Sequence, residues 1–306
     1  MSEVATTQGR KFVFGFGLEN SAGVAVTPTL FPSMIEGTCP VNYNKQDIPG
    51  LSGTRSHPYQ NMVMGQIDGR LTGRFMARKQ WLQHFLYWTM GGGNTTNPTL
   101  AETVKTFTAE VDTYVRVLTF AGCKVSKLEL SSEPNKPLYV NLAEVLAMSV
   151  ADAAQGSGTT PVRTITDPAI MHHHLTLSLD GDVKCGTFNL TFDNKCEDNH
   201  FQNSQSRLAI PEGDREITGK VQIDWSVLNA VTRGIWTKFK SGATAAMSAV
   251  FADGTNTLTI TMPRVIYHEG DAPPAASARE TIYSEVPFKA MGSTPGSADE
   301  MTVAWS

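Results

Sequence analysis

A short pattern occurs twice in this chain, and the distance between its copies limits the folds that the chain can adopt. The first copy, DGRLTGRF, covers Asp68–Phe75, and the second, DREITGKV, covers Asp214–Val221, 146 residues further on. Each copy leads into an amphipathic segment that ends at a glycine, Gly91 in the first half and Gly242 in the second. Solenoid units are shorter, at roughly 20–50 residues, so this period predicts two copies of one domain.

The length of the chain fits this interpretation. Its 306 residues, of which 41% are hydrophobic, suffice for two domains of roughly 150 residues, each able to bury a core of its own. We therefore predict a first domain over residues 1–160 and a second over residues 161–306. The small, polar segment from Ala151 to Pro168 is the predicted linker between them.

The second half contains five segments in which apolar and polar residues alternate. This period of two predicts half-buried antiparallel strands, with one face toward the core. A helix over Val227–Lys240 is predicted between the third and fourth strands, with Ser226 as its N-cap and Leu228, Val231, Ile235 and Phe239 along its apolar stripe. The predicted strands are Leu175–Leu179, Phe188–Phe192, Ile217–Trp225, Leu258–Met262 and Met301–Trp305.

The first half repeats this order less regularly. Its predicted helix carries Trp81, Phe85 and Trp88 on one face. Together the two halves predict a mainly β protein, built from two tandem β-sandwich or open-barrel domains, each with one flanking α-helix. The predicted strands lie near Met34 and at Leu71–Ala77, Tyr114–Thr119, Val125–Leu130 and Leu138–Leu146.

Three further segments are predicted as loops. Lys45–Gln66 is long and lacks periodicity, Gly91–Thr99 is rich in glycine and asparagine, and Asp271–Arg279 contains two adjacent prolines. A loop as long as the first is unusual in a compact domain unless it contacts something.

No catalytic, cofactor or metal site is predicted. His172–His174 precedes a strand, where neighbouring side chains point to opposite faces, so we interpret it as an edge or interface run. Cys185 and Cys196 match no zinc spacing with His200; a disulfide between these cysteines is a second alternative, and free thiols are the favoured state of all four cysteines. The Gly-x-Gly at Phe14–Gly17 lacks the strand–turn–helix context of a nucleotide site.

Charge and hydropathy narrow the classes of partner. The net charge is −4 and there is no long basic run, which argues against a grip on nucleic acid through its phosphates. The apolar stretch from Phe12 to Val26 is interrupted by glycines and polar residues, so no signal peptide and no membrane insertion are predicted.

In the order and spacing of several segments the chain resembles the tail tube (major tail) proteins of long-tailed bacteriophages, over nearly its whole length. None of these segments is a chemical motif, and their order carries the resemblance. They are Glu19–Thr29, Gly69–Arg74, Phe120–Leu128, Arg215–Val221, Met262–Val265 and Val286–Gly292.

The resemblance implies a structural subunit that polymerises as stacked rings around a lumen, through which genomic DNA passes during ejection. It implies contacts with other copies, as homotrimer rings that mimic six domains, and with tape measure, tail terminator and distal tail proteins. The expected location is the virion tail, after assembly in the host cytoplasm. The loop Lys45–Gln66 is expected to bridge subunits or rings, so removal of Ile48–Ser56 should prevent polymerisation.

Two other functions fit the sequence less well. A tail terminator, initiator or secretion-tube component on the same fold is usually a single domain, whereas this chain repeats. A β-sandwich carbohydrate-binding module would carry an aromatic platform and calcium ligands, and neither is apparent.

DNA must pass through such a tube without being held. We therefore expect a lumen that avoids clustered Lys and Arg and presents Asp, Glu, Ser, Thr and Asn. The candidate residues for this wall are Asp193, Asp224, Glu129, Thr191 and Thr259.

Overall fold

The structure is a computed structural model of the chain, and it is mainly β. It describes residues 12–47, 62–162, 164–179, 181–224, 230–267, 283–294 and 296–306. In chain order the strands of the first half are β1 (Val13–Leu18), β2 (Met34–Thr38), β3 (Val41–Asn42), β4 (Gln46–Asp47), β5 (Met62–Val63), β6 (Asp68–Met76), β7 (Gly91–Gly93), β8 (Pro98–Leu100), β9 (Phe107–Asp112), β10 (Arg116–Ser132), β11 (Tyr139–Ala147) and β12 (Ser149–Ala154).

The second half continues the numbering, and each half has a helix after its copy of the repeat. Helix α1 covers Lys79–Met90 and helix α2 covers Ala230–Ser241. The strands are β13 (Leu175–Leu179), β14 (Asp182–Val183), β15 (Cys185–Asp193), β16 (Glu216–Asp224), β17 (Ala245–Ala252), β18 (Thr257–Tyr267), β19 (Tyr283–Ala290) and β20 (Thr302–Trp305).

Within the described residues, sixteen of these strands form one antiparallel sheet that continues from one half into the other. The junction is the pairing of β10 with β15, in register from Lys127 opposite Asp193 to Ser132 opposite Phe188. Leu130 and Leu190 face each other there and are both fully buried. The two halves therefore share backbone hydrogen bonds and a hydrophobic core, and are not joined by the linker alone.

The strands are paired in the same order in both halves. In the first half the order is β1, β9, β10, β11, β6 and β2, with β12 added beside β10. In the second half it is β13, β17, β18, β19, β16 and β15, with β20 added beside β18. The two copies of the sequence repeat, in β6 and β16, thus take the same place in each series.

The register of the repeat also agrees between the halves. In β6, Thr72 pairs with Thr38 of β2, and in β16, Thr218 pairs with Thr191 of β15. On the other side of the repeat, Gly73 pairs with Leu142 of β11, just as Gly219 pairs with Phe288 of β19. β2 of the first half therefore corresponds to β15 of the second.

The helix predicted in the first half forms as expected. Trp81, Phe85 and Trp88 are buried, and α1 ends at Gly91, whose positive φ of 87° ends the helix in the left-handed conformation. Trp88 stacks on Phe107 of β9 with ring centroids 4.6 Å apart, so the helix closes the buried face of the sheet. In α2, Ile235 is buried as predicted; Ser226 and Leu228 lie outside the described residues, as does the side chain of Val231.

The predicted strand Tyr114–Thr119 was wrong at its start. Tyr114 has a positive φ of 70° and lies in the turn between β9 and β10, with its backbone N–H donating to Asp112. β9 itself, Phe107–Asp112, was not predicted, although its sequence FTAEVD alternates between apolar and polar residues as a half-buried strand does. The two separate strands expected over residues 114–130 are one strand of 17 residues, β10.

Several predicted loops contain short strands. Gly91–Thr99 overlaps the hairpin of β7 and β8, and the first residues of the predicted linker, 151–154, belong to β12, which pairs with β10. In Lys45–Gln66, β4 pairs with β5, while residues 48–61 lie outside the described residues, as does Asp271–Arg279.

Candidate assembly edges and polar face

One row of outward-facing side chains crosses seven neighbouring strands of both halves. Directly paired residues of an antiparallel sheet point to the same face, and these are all half-buried or exposed. We call them the polar row. In order of pairing they are Glu36, Arg74, Asn141, Glu129, Thr191, Thr218 and Lys289.

Two flanking rows extend this polar surface. Ser131, Asn189 and Lys220 pair along one side, and Lys127, Asp193 and Glu216 along the other. We call these rows and the polar row together the polar face. In the second half this face contains a depression of about 480 Å³ that reaches Asn189, Thr218 and Lys289. Because the opposite face is covered by α1 and the aromatic core, including Phe16 of β1, the polar face is the side of this sheet that water reaches.

The cations of the polar row and its neighbours lie close to carboxylates. Arg74 lies 3.3 Å from Glu36, and Lys127 lies 2.9 Å from Glu129.

Glu216 receives two lysines, Lys195 at 2.8 Å and Lys289 at 2.6 Å. Hydrogen bonds from Lys195 and Lys289 lower the pKa of Glu216 to about 2, so this carboxylate stays ionised at any physiological pH. The polar face thus contains lysines and arginines, whereas the sequence predicted a lumen wall of acidic and neutral polar residues. The positive charges of these side chains are neutralised by neighbouring carboxylates.

The structure brings together three of the five residues predicted for the lumen. Glu129 pairs with Thr191, and Asp193 lies two residues further along the same strand, on the same face. Thr259 lies elsewhere, where β18 pairs with β17 and β20. Asp224 is the last residue of β16, and its side chain lies outside the described residues.

Among the described residues, one end of the sheet has a strand edge without a partner, beside apolar side chains. β2 pairs with β6 on one side and ends the strand order on the other, and its last four residues are exposed. Exposed apolar side chains lie on this strand and on the segments that follow it along the chain: Ile35, Tyr43, Met62, Val63 and Met64. A free edge with exposed apolar groups is a template for pairing with another chain.

The sequence model of a family described as phage tail tube protein matches residues 9–290, nearly the whole chain. The chain belongs to the phage tail tube protein family. Membership makes it a structural component of the phage virion, in a family whose members assemble with themselves and with other tail proteins. A comparison with curated proteins gave no match.

In this tail tube protein a buried ion pair that the sequence did not indicate lies at the junction of the halves. Arg207 has a fully buried guanidinium that donates to Asp68, to the carbonyl oxygen of Ala147 at 2.8 Å and to that of Asp198 at 2.7 Å. Partial burial acts to raise the pKa of Asp68, but hydrogen bonds from Arg207 and Arg70 outweigh it and lower the pKa. The loop between β15 and β16 is thereby fixed to the first half, and no local motif around Arg207 signals this contact.

The three adjacent histidines form a 3₁₀ turn that immediately precedes β13, so the alternation of side chains along a strand does not apply to them. The Nδ1 atom of His172 lies 2.8 Å from the hydroxyl oxygen of Ser132, and the Nδ1 atom of His174 accepts a hydrogen bond from the N–H of Met171 at 3.1 Å. Each of these rings is held by a neighbour in the fold. Over the described part of the chain, no group of three or more His, Cys, Asp or Glu side chains has the geometry to hold a metal ion.

The four cysteines are free thiols, which is the state favoured from the sequence. Burial raises the pKa of Cys185 to about 11 and, together with the nearby Glu212 carboxylate, that of Cys196 to about 12. Thiolate is the reactive form of cysteine, so these two side chains are chemically quiet at neutral pH. The helices among the described residues are too short and too polar to cross a bilayer.

Proposed function

We propose that three copies of this tail tube protein close into a ring, that rings stack into the tail tube, and that genomic DNA passes through the lumen during ejection. One observation carries the proposal: the strand order and register of one half recur in the other, and the two halves already share one sheet. Each chain then supplies two tandem tube domains, residues 1–160 and 161–306, so that three chains make six similar positions around the axis.

The free edges explain why the ring closes. β15 of the second half is covered by β10 of the first half. β2, which corresponds to β15, has no such cover among the residues that the structure describes. If β2 of one copy pairs with the second half of the next copy, every junction in the ring is of one kind, and a repeated heterologous contact closes when the rotation permits.

The number of strands agrees with a ring of three. Of the eleven strands in the continuous strand order, we count eight toward the ring wall, four from each half: β2, β6, β11, β10, β15, β16, β19 and β18. The other three lie beyond β18 and are joined to its first part through β17, as β9 pairs with the first part of β10. Three chains give three times eight strands, and at a spacing of about 4.8 Å their circle is roughly 37 Å across. Side chains of opposite walls occupy roughly 10 Å of this, and strand tilt widens it.

The resulting opening accommodates double-stranded DNA. A B-form duplex is at least roughly 16 Å across, since its major and minor grooves lie on opposite sides of each base pair and are about 8.5 and 7.5 Å deep. Two chains, with sixteen strands, would leave roughly 14 Å without tilt, and would not admit a duplex.

We assign the polar face to the lumen, because the opposite face of the same sheet is the hydrophobic core. Binding to the DNA backbone requires cations that replace counterions at the phosphates. Here Lys127, Lys289 and Arg74 are engaged by carboxylates of the wall. DNA therefore meets a hydrated surface without concentrated positive charge, along which it can slide.

Other tail proteins would contact the two ends of the stack of rings and, before ejection, its interior. A tail terminator and a distal tail protein would meet the exposed ring faces at the two ends, and a tape measure protein would occupy the lumen before DNA does. Assembly would take place in the host cytoplasm.

Negative-stain electron microscopy and native mass spectrometry of the purified protein test the proposal. We expect hollow rings or tubes, and a ring mass of about 100 kDa, three times the 33.2 kDa of one chain. Rings of six chains would contradict the trimer, and a protein that stays monomeric at all concentrations would contradict self-assembly.

A further inference from the structure

The contact between the two halves of one chain provides a template for the contact between two copies. We infer that Met64 of one copy is an apolar anchor that is buried on the second half of a neighbouring copy, against Met291 and Arg264. This inference rests on the proposed function, since it assigns residues to the junction between ring subunits.

The template is the segment that precedes β16. In the second half, residues 207–212 lie on the first half of the same chain: the N–H of Arg207 donates to the carbonyl oxygen of Met148 at 3.0 Å, and Lys124 donates to the carbonyl oxygen of Ile210 at 2.8 Å. Lys124 also pairs with Glu212 at 2.7 Å. Ile210 is only 1% exposed in this contact.

The corresponding segment of the first half precedes β6, and the sequence repeat fixes the alignment. Asp68 corresponds to Asp214, and the four residues before each aspartate align without a gap, so Met64 corresponds to Ile210. Both positions carry long apolar side chains. Met64 is 47% exposed where Ile210 is buried, although its carbonyl oxygen accepts a hydrogen bond from the Gln205 side chain of the second half at 3.5 Å.

The surface proposed to bind Met64 also differs in exposure from its counterpart in the first half. In the first half, Lys124 pairs with Leu146, which is fully buried. In the second half Arg264 takes the place of Lys124, and its carbonyl oxygen accepts a hydrogen bond from the N–H of Met291 at 2.9 Å. Met291, at the position of Leu146, is 36% exposed. In the second half, Met291 and Arg264 thus occupy the positions of Leu146 and Lys124, the residues at the site where Ile210 lies on the first half. Unlike Leu146, Met291 is not buried.

The contact between the two halves also predicts that Met62 stays outside the contact between two copies. Met62 lies two residues before Met64 and corresponds to Leu208, which remains 50% exposed although its neighbours lie on the first half. Met62, 57% exposed in the single chain, should therefore remain exposed in the ring as well. Met62 is a matched control, since it has the same side chain on the same segment with similar exposure.

The test compares Met64→Ser, Met291→Ser and Met62→Ser with the unmodified protein, using light scattering and electron microscopy of assembly as a function of concentration. Met64→Ser and Met291→Ser should each raise the concentration needed for assembly by about tenfold or more, as loss of a buried methionine contact implies. Met62→Ser should assemble like the unmodified protein. Circular dichroism melting checks that each variant is folded.

A second measurement does not depend on the strength of assembly. The double variant Met64→Cys/Arg264→Cys, treated with a short bismaleimide, should give covalent oligomers that end at the trimer. The matched double variant Met62→Cys/Arg264→Cys should give far fewer, and the unmodified protein, with its four native free thiols, sets the background. Equal effects of Met62→Ser and Met64→Ser, or trimer formation without crosslinking of the Met64→Cys/Arg264→Cys variant, would overturn the anchor while leaving the ring intact. Failure of the unmodified protein to form rings would instead overturn the proposed function, and the anchor with it.

Discussion

Gly219, the glycine of the second sequence repeat, lies beneath the ring of Phe288 in the sheet. A Cβ atom at this position would be 2.3 Å from Cζ of Phe288 and 2.4 Å from the carbonyl oxygen of Asn189. At Gly73, the same position of the first repeat, a Cβ would be 2.8 Å from the ring of Phe75. The Thr-Gly pair of the repeat therefore has a steric cause, since each glycine makes room for an aromatic ring on the buried face.

Gly219→Ala should lower the free energy of unfolding by about 1–3 kcal/mol, because the backbone oxygen of Asn189 cannot yield as a side chain can. The control is Gly234→Ala in α2, where an added Cβ meets nothing within 4 Å. That change should raise the stability by about 0.5–1 kcal/mol, since alanine favours the helix. Urea denaturation measures both, and a stabilising Gly219→Ala would contradict the packing argument.

The lowered pKa of Asp68 predicts that the stability of the fold depends on pH. Its pKa is lowered in the folded protein, because hydrogen bonds from Arg207 and Arg70 outweigh the effect of partial burial. A carboxyl group of this kind stabilises the fold above its unfolded pKa, and the contribution is lost as the pH falls through the folded pKa. The free energy of unfolding should therefore decrease below about pH 4.

The matched measurement uses Asp68→Asn, which cannot titrate. Denaturation of this variant should show a smaller loss of stability between about pH 5 and pH 3 than the unmodified protein. Identical pH profiles of the two proteins would show that Asp68 is not responsible.

At the scale of elements, β10 shows how one strand serves two parts of the fold. Its first part, Arg116–Ala121, pairs with β12 and β9, and its second part pairs with β11 and β15. The change occurs at an irregularity between Phe120 and Cys123, where Gly122 has a positive φ of 65°. A bulge with glycine bends a strand, and here it lets β10 join both the core of its own half and the other half.

β16 supports a prediction about the two faces of the sheet. Ile217, Val221 and Ile223 are buried as predicted, whereas Thr218 and Gln222 are half-buried on the polar face. Ile223→Ala should cost about 2–5 kcal/mol of unfolding free energy, as for other buried aliphatic side chains, and Thr218→Ala should be nearly neutral in the single chain. Chemical denaturation of both variants decides this, and equal losses would mean that the strand is buried on both faces.

At the scale of the whole molecule, charge governs the behaviour toward DNA. The net charge is −4, and the lysines and arginines of the polar face lie beside carboxylates. The free subunit should therefore bind double-stranded DNA more weakly than about 1 μM at physiological salt, as measured by fluorescence anisotropy. A tighter affinity that falls steeply with salt would contradict the assignment of the polar face to the lumen.

The sequence by itself determined the elements whose pattern is local. β16 shows alternation and α1 an apolar stripe, and Gly91 ends that helix, because each depends on neighbours a few residues away. The Asp68 and Asp214 repeats indicated the equivalence of β6 and β16 for the same reason.

Only the tertiary structure decided which strands meet. The six residue pairs that join β10 to β15 have no local signal, since every half-buried strand alternates alike and any free edge offers the same backbone groups. The burial of Arg207 also depends on a loop folding onto the other half. The pairing of strands that are distant in the sequence could not be predicted from local patterns, because it depends on how whole surfaces fit together.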